Sequence, residues 1–153
     1  MIMKHIKQYY KRKRRLMNGG GDNMPYLKCE CPKCKKNIDV KYDQTIYRGE
    51  VLFFMEYNCK CSFYRNEDST ITPEKFRNEI INESGLWQLK CYDKLSCIKF
   101  LRQKYLYSME QIKELKKEEI IKFEGTKIEM MVLGNKMVKE EIRLKIECVE
   151  ATC

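Results

Sequence analysis

Five of the nine cysteines, Cys29, Cys31, Cys34, Cys59 and Cys61, fall within 33 residues, and they are the side chains here best placed to do chemistry. Cys31-Pro32-Lys33-Cys34, then 24 intervening residues, then Cys59-Lys60-Cys61 is metal-ligand spacing. Two thiolates three positions apart on a tight turn can share one tetrahedral ion. The expectation is one structural Zn²⁺ held by Cys31, Cys34, Cys59 and Cys61, with Cys29 as a spare thiol able to replace Cys31 or serve as an alternate ligand. The plainer alternative is a set of free thiols in a small sheet. The second pair, C-x-C, is tighter than the usual C-x2-C. Zinc with four thiolates carries a charge of about −2, which Lys28, Lys33, Lys35, Lys36 and Lys60 would offset.

The remaining cysteines, Cys91, Cys97, Cys148 and Cys153, are scattered. A second metal site among them is conceivable, but Cys91 and Cys148 fall on apolar strand faces, where a cysteine usually serves as a small buried hydrophobe. The odd count and the lack of an apolar stretch after the basic first fifteen residues argue against an exported, disulfide-framed protein. No apolar run approaches the ~18 residues of a membrane helix. A cytoplasmic protein is expected.

Catalytic patterns are missing. The sole histidine, His5, lies far from the cysteine cluster in sequence, and no HExxH, P-loop or G-x-G-x-x-G is present. Zinc saturated by four cysteines keeps no position for a reacting water. No catalytic residue, small-molecule substrate or enzymatic activity is expected.

The net charge of +9 is uneven: residues 1–23 hold seven cations against Asp22 and supply +6, leaving +3 for the remaining 130 residues. The Lys11-Arg12-Lys13-Arg14-Arg15 run reads either as an anionic-surface contact or as a solvated terminus. Gly19 to Met24 can also be encoded by a purine-rich stretch resembling a bacterial ribosome-binding site followed by a start codon, which would make Met24 the true start.

Several elements must position the cysteines. Short strands begin at Tyr26. Ile38, Val40 and Tyr42 alternate with Asp39, Lys41 and Asp43 as in a half-buried strand; Arg48-Gly49 is a turn; and Glu50 to Tyr57 is a buried strand that leads to Cys59. The result is a hairpin with cysteine pairs near its ends, a zinc-ribbon layout. Phe53, Phe54, Tyr57, Phe63 and Tyr64 flank the second knuckle and read as ribbon core or as a base-stacking surface beside Lys60 and Arg65.

After Asn66-Glu67-Asp68-Ser69, Thr72 reads as an N-cap before Pro73, opening a helix with Phe76 and Ile80 that Ser84-Gly85 stops. Leu86 to Tyr92 reads as a strand, Asp93 as the cap of a second helix, and Ser108 with Gln111 as the capping box of a third. Lys127 to Leu133, the turn Gly134-Asn135, and Ile142, Leu144, Ile146 and Cys148 read as a terminal hairpin. That order is the order of a winged-helix domain, yet residues 109–119 sum to −1, a poor charge for a helix entering a DNA groove. The same order suits a general α+β protein-binding domain.

The segment Cys31 to Asp68 resembles the zinc finger of the ZPR family, which also has a C-P-x-C knuckle, about 25 residues and a second cysteine pair. Gly49-Glu50-Val51-Leu52-Phe53 and Tyr64-Arg65-Asn66-Glu67 are similar to its flanking segments. The resemblance implies zinc ligation by Cys31, Cys34, Cys59 and Cys61, in a family described as binding a translation elongation factor and assisting its folding. More distantly, the segment resembles the zinc domain of YgiT-type antitoxins.

The expectation is therefore an α+β protein: a basic arm (1–23), a zinc ribbon (24–68) and an α+β domain (70–153) that is winged-helix-like or a general binding unit. Its expected role is a non-enzymatic nucleic-acid-associated regulator contacting its partner through Lys33, Lys35, Lys36, Lys60 and Arg65. The alternative is a protein-interaction factor, either a ZPR-like partner of the translation machinery or a mobile-element adaptor or inhibitor of a host protein complex.

Overall fold

The computed structural model describes residues 24–150. The basic arm, His5, the question of the start at Met24, and Cys153 lie outside the described residues. The fold is α+β, with one antiparallel sheet of four strands and one of three.

The first sheet is a meander of β1 (Tyr26–Glu30), β2 (Asn37–Tyr47), β3 (Glu50–Asn58) and β4 (Tyr64–Ser69), paired in that order. The alternation on β2 places Val40 and Tyr42 in the interior. Arg48 and Gly49 both have positive φ, 52° and 78°, as a two-residue hairpin turn requires. That turn sets the register Tyr47↔Glu50 through Lys41↔Glu56, and so brings the start of β2 alongside the end of β3. The polar run Tyr64–Ser69, where the sequence suggests only a change of pattern, is a strand at the sheet edge paired with Phe53 to Asn58.

Helix α1 (Glu74–Ser84) covers the inner face of this sheet. Its Phe76 packs against Tyr42 and Phe53, with ring centroids 5.2 Å away in each case. The helix begins one residue later than expected. Pro73 occupies the N-cap position, and Thr72 makes no cap hydrogen bond because its buried hydroxyl accepts from the Gln44 amide at 2.7 Å. Gly85, with φ 88°, ends α1 as expected; a Cβ there would meet Glu150 O at 2.5 Å and Cys148 Sγ at 2.7 Å.

The second sheet has the order β6-β5-β7, with β5 (Leu86–Cys91) central between β6 (Ile121–Gly125) and β7 (Leu144–Glu150). Helices α2 (Lys94–Lys104), α3 (Met109–Lys117) and α4 (Lys127–Val138) build its core with Leu89, Cys91, Ile98, Leu101, Ile112 and Met137. Asp93 sits at the N-cap of α2, but its carboxylate pairs with Arg143 instead of capping. The Ser108–Gln111 capping box opens α3 as expected.

The terminal hairpin does not form. Residues 127–138 are helical, opened by a second capping box in which Thr126 and Glu129 exchange hydrogen bonds. The buried positions Met130, Gly134 and Met137 recur at i, i+4 and i+7, the period of a helix face. Gly134 is no turn: it lies against the second sheet, where an added Cβ would stand 2.8 Å from Ile146 Cδ1. With α4 in place of a strand and β5 at the centre of the sheet, the winged-helix expectation fails for lack of a wing.

The two sheets are joined through α4, which packs on β5, β6 and β7 and also on β2 and β3. At that junction buried Gln44 donates to Thr72 and accepts from the Thr126 hydroxyl at 2.6 Å. Alongside it, Arg77 Nε reaches the Glu129 carboxylate at 2.9 Å.

Candidate metal centre

Both cysteine pairs lie at the end of the first sheet opposite the Arg48-Gly49 turn. Cys31 and Cys34 lie between β1 and β2, and Cys59 and Cys61 between β3 and β4. Each pair is carried on a tight turn closed by backbone hydrogen bonds. Lys35 N donates to Cys31 O at 3.0 Å and Cys31 N to Lys36 O at 2.9 Å; Ser62 N donates to Cys59 O at 3.0 Å and Cys59 N to Phe63 O at 2.9 Å. These turns force Lys35 and Ser62 into positive φ, 63° and 73°. Neither position carries the glycine that marks such a conformation in a sequence, so the two turn exits were not legible beforehand.

The four sulfurs converge. All lie within 4.8 Å of one another, with Cys31 Sγ 3.7 Å from Cys61 Sγ and Cys34 Sγ 3.5 Å from Cys59 Sγ. Metal–sulfur bonds of about 2.3 Å in a regular tetrahedron require sulfurs about 3.8 Å apart. The donor set and its spacing therefore fit one metal ion. Cys31 and Cys59 are buried, while Cys34 and Cys61 are half-buried.

The thiols are electrostatically unequal. Burial pushes Cys31 up, but the amides of Cys34 and Lys33 and the thiols of Cys61 and Cys34 favour its thiolate and bring it down to about 7. The amide of Cys61 lowers Cys59, yet burial and its hydrogen bonds to the Cys61, Cys34 and Cys31 sulfurs outweigh it and push that thiol up to about 12. The backbone amides facing Cys31 are donors of the kind that orient and stabilise metal-bound thiolates.

Cys29 is not in the cluster. It is buried on β1 with Val40, Tyr42, Phe53 and Phe76, and Lys75 Nζ stands 3.6 Å from its sulfur. The second group of cysteines does not assemble among the described residues. Cys91 and Cys97 are buried neighbours in the second core, whereas Cys148 is exposed on β7.

Of the cations read as partner contacts, Lys33, Lys35, Lys36 and Lys60 lie in or next to the two knuckles in sequence, and Arg65 is on β4. Lys33, Lys36 and Lys60 are exposed, and Lys33 Nζ reaches Cys61 O at 3.4 Å. Lys35 pairs with Glu30 at 3.6 Å, and Arg65 pairs with Glu67. Of the aromatic residues, Phe53 is in the core and Tyr57 packs edge-on against Phe63 at 6.3 Å; Tyr64 presents an exposed ring. No helix among the described residues is long and apolar enough to cross a membrane. Neither a protein-family model, nor a curated protein, nor a solved structure matches the chain.

Proposed function

We propose that this chain is a non-enzymatic zinc-ribbon module. One Zn²⁺ held by Cys31, Cys34, Cys59 and Cys61 fixes two knuckles into a cationic tip that binds nucleic acid. The observation that carries this reading is the convergence of four sulfurs from two turns onto one point at the end of the first sheet. Thiolates make zinc the natural occupant, and four of them saturate it, so the ion supplies rigidity and no site for a reacting water. The tip has too little core of its own to hold two turns with left-handed residues, and metal binding free energy would serve in its place.

Lys33, Lys36 and Lys60 point away from the core and offset the thiolate charge. The pair Lys35–Glu30 is solvent-exposed and Arg65–Glu67 partly so, and such pairs are worth little, so a phosphate competes with them readily. Tyr64 supplies one ring on which a base can stack. The resemblance of residues 31–68 to the ZPR zinc finger supports a second reading, in which the same tip contacts a protein of the translation machinery.

Fluorescence anisotropy of labelled single-stranded and duplex oligonucleotides, titrated with the zinc-loaded full chain over a salt series, tests the first reading. The control is the triple variant Lys33→Glu, Lys36→Glu, Lys60→Glu. Loss of three phosphate contacts should weaken binding and reduce the slope of log K against log salt by about 2 to 3. Equal binding by both proteins would assign the affinity to the basic arm and leave the tip to a protein partner.

A further inference from the structure

A second surface lies at the other end of β3 from the metal centre, roughly 25 Å away at the rise of a strand. There a cavity of about 340 Å³ opens between the ends of α2 and α4 and the start of β3. Phe100 and Tyr105 form an aromatic wall, their rings 5.7 Å apart. An adjoining cavity of about 190 Å³ shares Phe100 and Glu140 and adds Lys99. Across the two, Lys99, Lys104, Lys136 and Lys139 face Glu50 and Glu140, and Glu50 is already engaged by Lys136 at 2.7 Å. Cationic charge is in excess.

Complementarity to the helix dipoles accounts for Lys104 and Lys136, which sit in last turns. It does not account for Leu106. This residue follows the end of α2 in the left-handed conformation, with φ 52°, the position where glycine is favoured because it has no Cβ to clash. The residue is 85% exposed, with Tyr105 before it and Met109 three positions after it also exposed. The fold thus tolerates a left-handed leucine and displays its apolar side chain to water immediately after Tyr105, which lines the cation-rimmed cavity. What sets Leu106 apart from the left-handed turn residues Lys35, Arg48 and Ser62 is that it is a large apolar residue left open to water, as binding surfaces leave theirs.

We propose that this surface docks an acidic peptide segment of a partner protein. A bulky apolar side chain of the segment packs on Tyr105 and Leu106, and flanking carboxylates pair with Lys99, Lys104 and Lys139. The proposal is independent of the zinc tip and of its ligand.

The test is to pan a random-peptide display library against the zinc-loaded full chain, then measure the enriched peptides against Leu106→Gly and Lys139→Glu. Sedimentation and thermal melts of the same samples complete it. Glycine suits the backbone at 106, so Leu106→Gly is expected to melt no lower than the parent while binding the peptides about tenfold more weakly or worse. Lys139→Glu should weaken them similarly, and the selected sequences should carry Asp or Glu around a Leu, Phe or Trp. No enrichment, a basic consensus, or peptides that bind Leu106→Gly as well as the parent would overturn the proposal. So would self-association of the parent that Leu106→Gly abolishes, because the occupant would then be a second copy of the chain.

Discussion

Cys29 and Cys61 are separated by a strand pair in space and by the work the fold gives them. Cys61 turns its sulfur toward Cys31, whereas Cys29 packs beside Val40 and Phe76. On the proposed reading, the Cys61→Ser variant should fail to bind a metal ion under conditions in which the parent binds one. Cys29→Ala should keep the parental metal content and lose about 1 kcal/mol to a small cavity. Mass spectrometry under non-denaturing conditions counts the metal, and urea unfolding measures the stability difference. The spacing of Cys31, Cys34, Cys59 and Cys61 made this site legible, because ligands close in sequence come from turns. Cys29 was ambiguous for a physical reason: it lies two residues from Cys31, and only the strand pairing of Cys29 with Ile38 turns it into the core.

Helix α4 is the element that the sequence misleads about most. Thr126 and Glu129 are a capping-box pair three residues apart, and that signal competes with a run of Ile128, Met130 and Val132 that alternates like a strand. Tertiary packing decides for the helix, since Gly134 allows it to approach Ile146 closely. Thr126→Ala should cost about 2–4 kcal/mol, for it removes the cap and also strips buried Gln44 of a donor. Gly134→Val should be comparably harmful by forcing α4 off the sheet; a urea midpoint matching the parent for either variant would contradict this packing. The strands β2 and β5 were legible because apolar and polar residue types alternate along them, and β3 because Val51 to Met55 is a continuous apolar run between turn signals. β4 was not, because an exposed edge strand carries no apolar period, and the short β6 shows only Ile121 and Phe123.

At the scale of the whole molecule, contacts across 82 residues, such as Thr126 with Gln44, join the two sheets. Nothing in a local pattern announces them. They imply one cooperative unit. Urea unfolding followed by Trp87 fluorescence, which reports on β5, and by metal release, which reports on the knuckles, should share a midpoint; separated midpoints would contradict the joined core. The second sheet also sets an acid limit. Hydrogen bonds from Lys145 and Lys90 bring Glu147 from the ordinary 4.5 down to about 2. A depressed carboxylate contributes stability above its unfolded value and loses it as pH falls toward the folded one. Stability should therefore decline between about pH 4.5 and 2, and Glu147→Gln should flatten that part of the profile.

The metal centre underlies the reading of the tip, and cobalt tests it most directly. The full chain, purified without metal under reducing conditions, is titrated with Co²⁺ while its visible and near-ultraviolet absorption is followed, and Zn²⁺ is then added. The expected result is saturation at one equivalent, with the strong visible bands of tetrahedral cobalt and thiolate charge-transfer absorption. Both should be abolished by Zn²⁺ and absent in Cys31→Ser. Weak octahedral absorption, or a spectrum unchanged in Cys31→Ser, would show that the four sulfurs do not form the site.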